Sequence, residues 1–367
     1  MEKLKVGIIG CGYWGPNLIR NFSSCPQTEV AAVCDMSPAR LAAVGRTHGH
    51  LSLVDSVDKL LEMSLDAVAI ATPVSTHYGL ASRCLEAGLH VMVEKPLSST
   101  VEEGELLVDL AERRGRVLMV DHTYLFNPAV RRIKELVDSG ELGDLYYIDS
   151  VRINLGLFQR DVNVVWDLAP HDLSIVDFVL GAEARSISAW GCAHTQSGIE
   201  DMAYVNVDFG DQMLANFHVN WLSPVKLRQM IFAGSRKSLI FNELNTTEPI
   251  KIYNRGIDLG QSDEDRRKTL VSYRSGDVWS PHIESSEALQ GVVSHFAECI
   301  NEQKTPLSDG QLGLRVVRQL EAATRSLRAG GGRVVLSQGA YANAGGNARA
   351  NGSGERRQDR PGRPSRN

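Results

Sequence analysis

Short apolar runs alternate with helix-patterned stretches from Leu4 to about Met119. The runs KVGIIG, EVAAVCD, DAVAIAT, HVMVE and RVLMV are apolar throughout, as strands covered on both faces of a parallel sheet must be. Between them, PNLIRNF sets Leu18, Ile19 and Phe22 on one helical stripe, with Pro16 in the first turn, where its missing N–H costs nothing. STVEEGELLVDLAERRG turns Leu106, Leu107 and Leu110 inward and stops at Gly115. This alternation predicts a doubly wound α/β half.

After about Leu145 the rhythm changes to period two. In MLANFHVNW, Ala215, Phe217, Val219 and Trp221 alternate with Asn216, His218 and Asn220. That pattern predicts an open, mostly antiparallel sheet with one buried face, its polar face turned to solvent or to a second copy of the chain. Two late helices, ALQGVVSHFAECI and LRVVRQLEAATRSL, turn Val292, Val293, Phe296, Val316, Val317 and Leu320 inward. They cover the sheet or rejoin the first half. From about Ala340 the chain is Gly, Asn, Arg and Ser, too polar to offset its ordering entropy by burial, so 339–367 reads as a disordered tail.

The 367 residues exceed what one core usually serves, which fits two domains, 1–124 and 125–338. The net charge of −5 disfavours nucleic acid as the main partner. No apolar run approaches the roughly 20 residues that cross a bilayer. The six cysteines form no C-x-x-C pair, which argues against a disulfide framework and a zinc site and for a cytoplasmic, reducing location; no metal is expected.

Gly10, Gly12 and Gly15 form Gly-x-Gly-x-x-Gly. Alone this is a weak signal, but it follows a strand, opens a helix and precedes Asp35, at the end of the next strand. Glycine lets the backbone approach a pyrophosphate, which the helix N–H groups then stabilise. Asp35 can accept from both adenosine ribose hydroxyls and would repel a 2′-phosphate, which favours NAD over NADP. Arg40 is the nearest basic residue that could soften this preference. Lys95, after HVMVE and before Pro96, stands at the ligand-binding edge of the predicted sheet.

In GCGYWG, Asp35, ATPVSTH (71–77), VEKPL (93–97), FNPAV (126–130) and DLAPH (167–171), the chain resembles the glucose-fructose oxidoreductase and inositol dehydrogenase family. The resemblance implies a Rossmann domain followed by an α+β C-terminal domain, with catalytic Lys95, Asp167 and His171. It further implies a cofactor lined by Tyr13, Trp14, Arg40, Thr72, Pro73, His77, Glu94, Lys95 and Pro96, with the Lys95–Pro96 peptide cis, and a homo-oligomer, dimer or tetramer. Ala169, Ser174 and Leu125 stand where relatives commonly have Gly, Asp and Arg, so the sugar-contacting shell differs.

The strings GYWGPNLIRNF, HTYLFNPAV and WDLAPHD look most like the branch that oxidises the 3-hydroxyl of nucleotide-linked N-acetyl sugars for cell-surface polysaccharides. A UDP-sugar needs cationic and hydrogen-bonding contacts; Arg152, Asn154, Arg160, Asn163 and Trp166 are candidates beside the catalytic three. An inositol or free-sugar dehydrogenase, and a non-catalytic NAD or sugar sensor, are the competing readings. Pro170 belongs in the first turn of a helix, so WDLAPHDLSI reads as a helix start, with Asp167 near the N-cap and His171 beside the positive end of the dipole.

Overall fold

The computed structural model describes residues 2–156, 158–159, 161–259 and 271–336. The first sheet has six parallel strands, β1 (Leu4–Ile9), β2 (Thr28–Cys34), β3 (Ser52–Val54), β4 (Ala67–Ile70), β5 (His90–Glu94) and β6 (Leu118–Asp121). Their order is β3-β2-β1-β4-β5-β6. The direction of strand addition reverses between β1 and β4, where a doubly wound sheet opens its ligand crevice.

Five helices connect these strands: α1 (Gly15–Ser24), α2 (Pro38–Thr47), α3 (Val57–Leu61), α4 (His77–Glu86) and α5 (Val101–Arg114). In α1, Leu18, Ile19 and Phe22 are buried as their spacing predicts. In α5 the buried stripe is Gly104, Leu107, Val108 and Ala111, a three-and-four spacing, and Gly115 closes the helix at φ 60°. Leu106 falls off that stripe and is exposed, against expectation.

The chain then turns through Thr123–Phe126 into α6 (Pro128–Asp138) and a second sheet. Its first strands are β7 (Leu145–Leu155), β8 (Ser186–Cys192), β9 (Met202–Gly210), β10 (Met213–Asn220), β11 (Leu222–Gly234), β12 (Ser238–Asn242) and β13 (Ile250–Tyr253). A ribbon of β14 (Gly256–Leu259) and β15 (Val271–Arg274) stands apart, and β16 (Val278–Trp279) and β17 (Val334–Val335) form the sheet's edges. The order is β16-β13-β12-β11-β7-β10-β9-β8-β17, and only β7 with β10 is parallel.

One face of this sheet packs on α7 (Val164–Leu180), with Ala215, Phe217, Val219 and Trp221 buried as the alternation requires. The other face carries Trp190, Tyr204 and Leu214 exposed, with His218 stacked on Tyr204 at 4.3 Å between ring centroids.

The late helices, α8 (Ala288–Glu302) and α9 (Gly310–Arg328), tie the halves together. Glu287, at the head of α8, pairs with Arg20 on α1. Gly313 of α9 leaves room for Val120 and Leu97, and Trp166 of α7 donates to Thr324 at 2.8 Å. Among the described residues no helix is long and apolar enough to cross a membrane. The tail expected at 339–367 lies outside the described residues.

Candidate active site

The crevice begins where β1 ends. Gly10 sits at φ +93°, and a Cβ there would lie 2.6 Å from the carbonyl oxygen of Ala71; one on Gly15 would lie 2.3 Å from that of Gly10. A side chain at either position would push the turn apart. A Cβ on Gly12 would meet nothing nearer than Arg40 Nη1 at 3.8 Å, so the loop is open there. That is the cradle a dinucleotide pyrophosphate needs, with α1 opening behind it and Tyr13 and Trp14 exposed on its rim.

Asp35 ends this edge of the crevice. Burial pushes its carboxyl up, but the N–H groups of Cys11 (2.9 Å) and Ser37 (2.8 Å), the Cys11 thiol and Arg40 outweigh this and hold it below the usual carboxylate range. Arg40 Nη1 lies 3.6 Å from it, so this guanidinium is engaged by the acid that selects the ribose. The residues present therefore fit NAD.

Thr72 and Pro73 follow β4, and Lys95 and Pro96 follow β5, joined by a cis peptide. His77 is buried between these loops, Nε2 at 2.9 Å from the Thr72 carbonyl and Nδ1 at 2.9 Å from that of Pro96. A neutral ring donates to one of these carbonyls only, and at 1% exposure it packs between the loops rather than lining the crevice, a correction to its expected place under the cofactor. Glu94 is likewise buried, facing Asp121 on β6, and not at the crevice surface.

Lys95 and the first turn of α7 meet across the crevice. Lys95 Nζ donates to the Asp167 carbonyl oxygen at 2.8 Å and lies 3.8 Å from the Asp167 carboxylate. Asp167 and His171 are four residues apart on one helix, hence on one face. His171 Nδ1 is buried without a hydrogen-bond partner. Burial, and then the charges of Lys95, Arg152 and Arg228, hold the imidazole well below its ordinary range. It is therefore neutral, as a general base must be.

The helix does not start where its proline suggested. It opens at Val164, capped by Asn163, whose Oδ1 accepts from the Trp166 N–H at 3.2 Å, and Pro170 lies inside it, in the second turn. The carbonyl of Trp166 thereby forgoes an intrahelical bond, since proline has no N–H. His171 is beyond the first turn, where the dipole has faded, so burial and neighbouring cations set its charge.

Three expected substrate contacts are committed elsewhere. Arg152, 3% exposed, binds Asp172 through Nε (3.0 Å) and Nη2 (2.6 Å) and Glu243 through Nη1 (3.1 Å), with its guanidinium over the Tyr124 ring. Asn163 caps α7 and donates to Glu200 at 2.8 Å. Trp166 is pinned by Thr324. Asn154 keeps an unpartnered Oδ1, and Arg160 lies outside the described residues.

Arg152 thus belongs to a buried network behind His171. Glu243 also takes Arg228 (2.6 Å) and the Tyr124 hydroxyl (2.6 Å), and Tyr124 meets His171 edge-on at 5.1 Å. Arg152→Ala leaves the buried Asp172 without its cation and Glu243 with Arg228 alone, and is expected to cost about 3–5 kcal/mol of stability. Urea melts of the variant check this; a direct substrate contact would instead raise KM and leave the melt in place.

Trp221 was legible only as a core position. Its indole N–H donates to Asp167 Oδ2 at 2.9 Å, fixing the carboxylate that faces Lys95. A hydrogen bond to a charged group contributes about 1.5–3 kcal/mol. Trp221→Phe keeps the packing, and kcat is expected to fall by about tenfold with KM less affected, which steady-state kinetics will show.

The comparisons agree with this geometry. The family described as "Oxidoreductase family, NAD-binding Rossmann fold" matches residues 4–122, and its "GFO/IDH/MocA C-terminal domain" matches 130–240. UDP-N-acetylglucosamine 3-dehydrogenase of Acidithiobacillus ferrooxidans is 28% identical over 320 residues, 86% of this chain and 95% of its own. A solved structure of that enzyme superposes with TM-score 0.74 at 26% identity, covering 90% of this chain and 99% of the other. The scyllo-inositol 2-dehydrogenase (NAD(+)) of Bacillus subtilis is 25% identical over 346 residues, 90% of this chain and 95% of its own. The WlbA dehydrogenase of Bordetella pertussis, solved with NADH and UDP-GlcNAcA, shares the fold at TM-score 0.75 and 20% identity, covering 92% and 100% of the two chains. With a glycine cradle, a ribose-selecting acid and a matching second domain, the chain belongs to the Gfo/Idh/MocA oxidoreductase family and is an NAD-dependent dehydrogenase acting on CH–OH groups.

Proposed function

We propose that the protein oxidises the 3-hydroxyl of a UDP-linked N-acetylhexosamine, or of its uronate, to a ketone. The observation that carries this reading is the meeting of Lys95, just after β5, with Asp167 on α7, one turn from His171. Its substrate class draws on the UDP-N-acetylglucosamine 3-dehydrogenase it resembles and on the fold-mate solved with UDP-GlcNAcA.

His171, neutral, takes the hydroxyl proton. The Lys95 ammonium meets the oxygen as negative charge develops on it, and the Asp167 carboxylate, held by Trp221, keeps that ammonium in place. When bound, NAD supplies the acceptor for the hydride that leaves the sugar carbon. Gly10, Gly12, Gly15 and Asp35 would hold it. The setting is the cytoplasmic synthesis of surface-polysaccharide precursors by a homo-oligomer, for which the exposed face of Trp190, Tyr204 and Leu214 offers a contact surface.

An inositol dehydrogenase would use the same three residues, and the Bacillus subtilis relative favours it as the second reading. Incubation with NAD and a panel of UDP-N-acetylhexosamines, their uronates, free sugars and inositols separates the two by the appearance of NADH. Activity on a UDP-sugar is the expected result; activity on inositols alone would replace the proposal with the second reading, and no activity on any would favour a sensor.

A further inference from the structure

Glu94 and Asp121 end the neighbouring parallel strands β5 and β6 in direct register, and both are buried. Paired residues of adjacent strands project from the same face of a sheet, so the two carboxyl groups are neighbours. Glu94 Oε1 and Asp121 Oδ2 have no N–H or O–H aimed at them, and two ionised carboxylates so placed would repel in a setting without water. One shared proton relieves both problems. The surroundings favour the proton on Glu94, because the Thr123 hydroxyl donates to Asp121 Oδ1 at 2.8 Å, which favours the ionised form there, while Glu94 Oε1 has no donor and only the Lys95 backbone N–H reaches this carboxyl among the described residues.

We propose that Glu94 holds a proton shared with Asp121, and that the pair presents one negative charge to Lys95 as a positioning element for the ammonium that meets the substrate oxygen. Burial raises both acids, which agrees with a retained proton. The groups around Lys95 leave room for such a counter-charge. His77 on α4, His122 after β6 and His171 on α7 are all held neutral by burial, His122 down to about 3, and Arg152 and Arg228 add positive charge behind His171. Asp167 is the other acid beside the ammonium, at 3.8 Å and shared with Trp221. Both nitrogens of His122 are buried without partners, so that ring supplies no charge and no donor to the pair.

The role assigned to Lys95 rests on the dehydrogenase mechanism above; the shared proton does not. Infrared spectra of the full-length native protein at neutral pH, labelled with carboxyl-13C glutamate or aspartate, should show a protonated-carboxyl C=O band that moves with the glutamate label and is absent in Glu94→Gln. A band that survives in Glu94→Gln, or no such band in the native protein, overturns the shared proton. In Asp121→Asn the counter-charge is gone, and the alkaline limb of kcat/KM should move down by about one pH unit, roughly a tenfold bias between protonation states; Glu94→Gln, which keeps the charge, should move it by less. A limb that stays in place in Asp121→Asn overturns the link to Lys95. Normal turnover of Lys95→Ala with the band intact would instead fault the mechanism and leave the pair standing.

Discussion

His171→Ala lowers turnover by about 100-fold or more, while NAD affinity, measured by fluorescence titration, stays near that of the native protein. The imidazole is separate from the glycine cradle and from Asp35, so its loss leaves the cofactor's contacts untouched. It removes the neutral base proposed to take the hydroxyl proton, one turn along α7 from the acid that pairs with Lys95. The native pH profile carries the same signature. Protonation inactivates a base, and burial with four nearby cationic or titratable groups pushes this imidazole well below 6.5. The acid limb of kcat/KM that it governs therefore lies at lower pH than an ordinary histidine would place it. Near-native turnover in His171→Ala would remove the residue from the reaction.

Lys95→Ala is the second large loss, also about 100-fold or more, because one donor aimed at a developing oxyanion is worth that much in a water-poor site. Here the effect has two parts. The ammonium itself is gone, and Asp167, released from it, remains tied to Trp221 as an uncompensated carboxylate facing the alkoxide. Lys95→Arg is not expected to rescue, since a planar guanidinium cannot occupy the point at which Nζ donates to the Asp167 carbonyl at 2.8 Å. Single-turnover measurements at saturating NAD, which isolate the chemical step, check both substitutions.

Local pattern made the parallel half readable, because continuous apolar runs and a glycine turn leave few alternatives. Gly10, Gly12, Gly15 and Asp35 stand where their spacing put them. Lys95, Asp167 and His171 were named from a family resemblance, and the fold brings them together. What could not be read is non-local. Trp221 looks like any inward residue of an alternating strand, and nothing in MLANFHVNW says that its indole N–H reaches an acid on α7. Arg152 looked like a cation for a UDP-sugar; its strand neighbour in register, Arg228, and the carboxylates of Asp172 and Glu243 make it a buried structural charge. Pro170 misled for a physical reason, since proline at a helix start is the cheaper choice and this chain takes the costlier one beside its base.

The most direct measurement of the central claim uses UDP-N-acetylglucosamine and its uronate carrying deuterium at C3, incubated with the full chain and NAD. Oxidation at the 3-hydroxyl requires that the label leave the sugar with the hydride, so mass spectrometry of the cofactor should find the deuterium in NADH formed from at least one of the two sugars. Unlabelled NADH, or none from either sugar, would contradict the account.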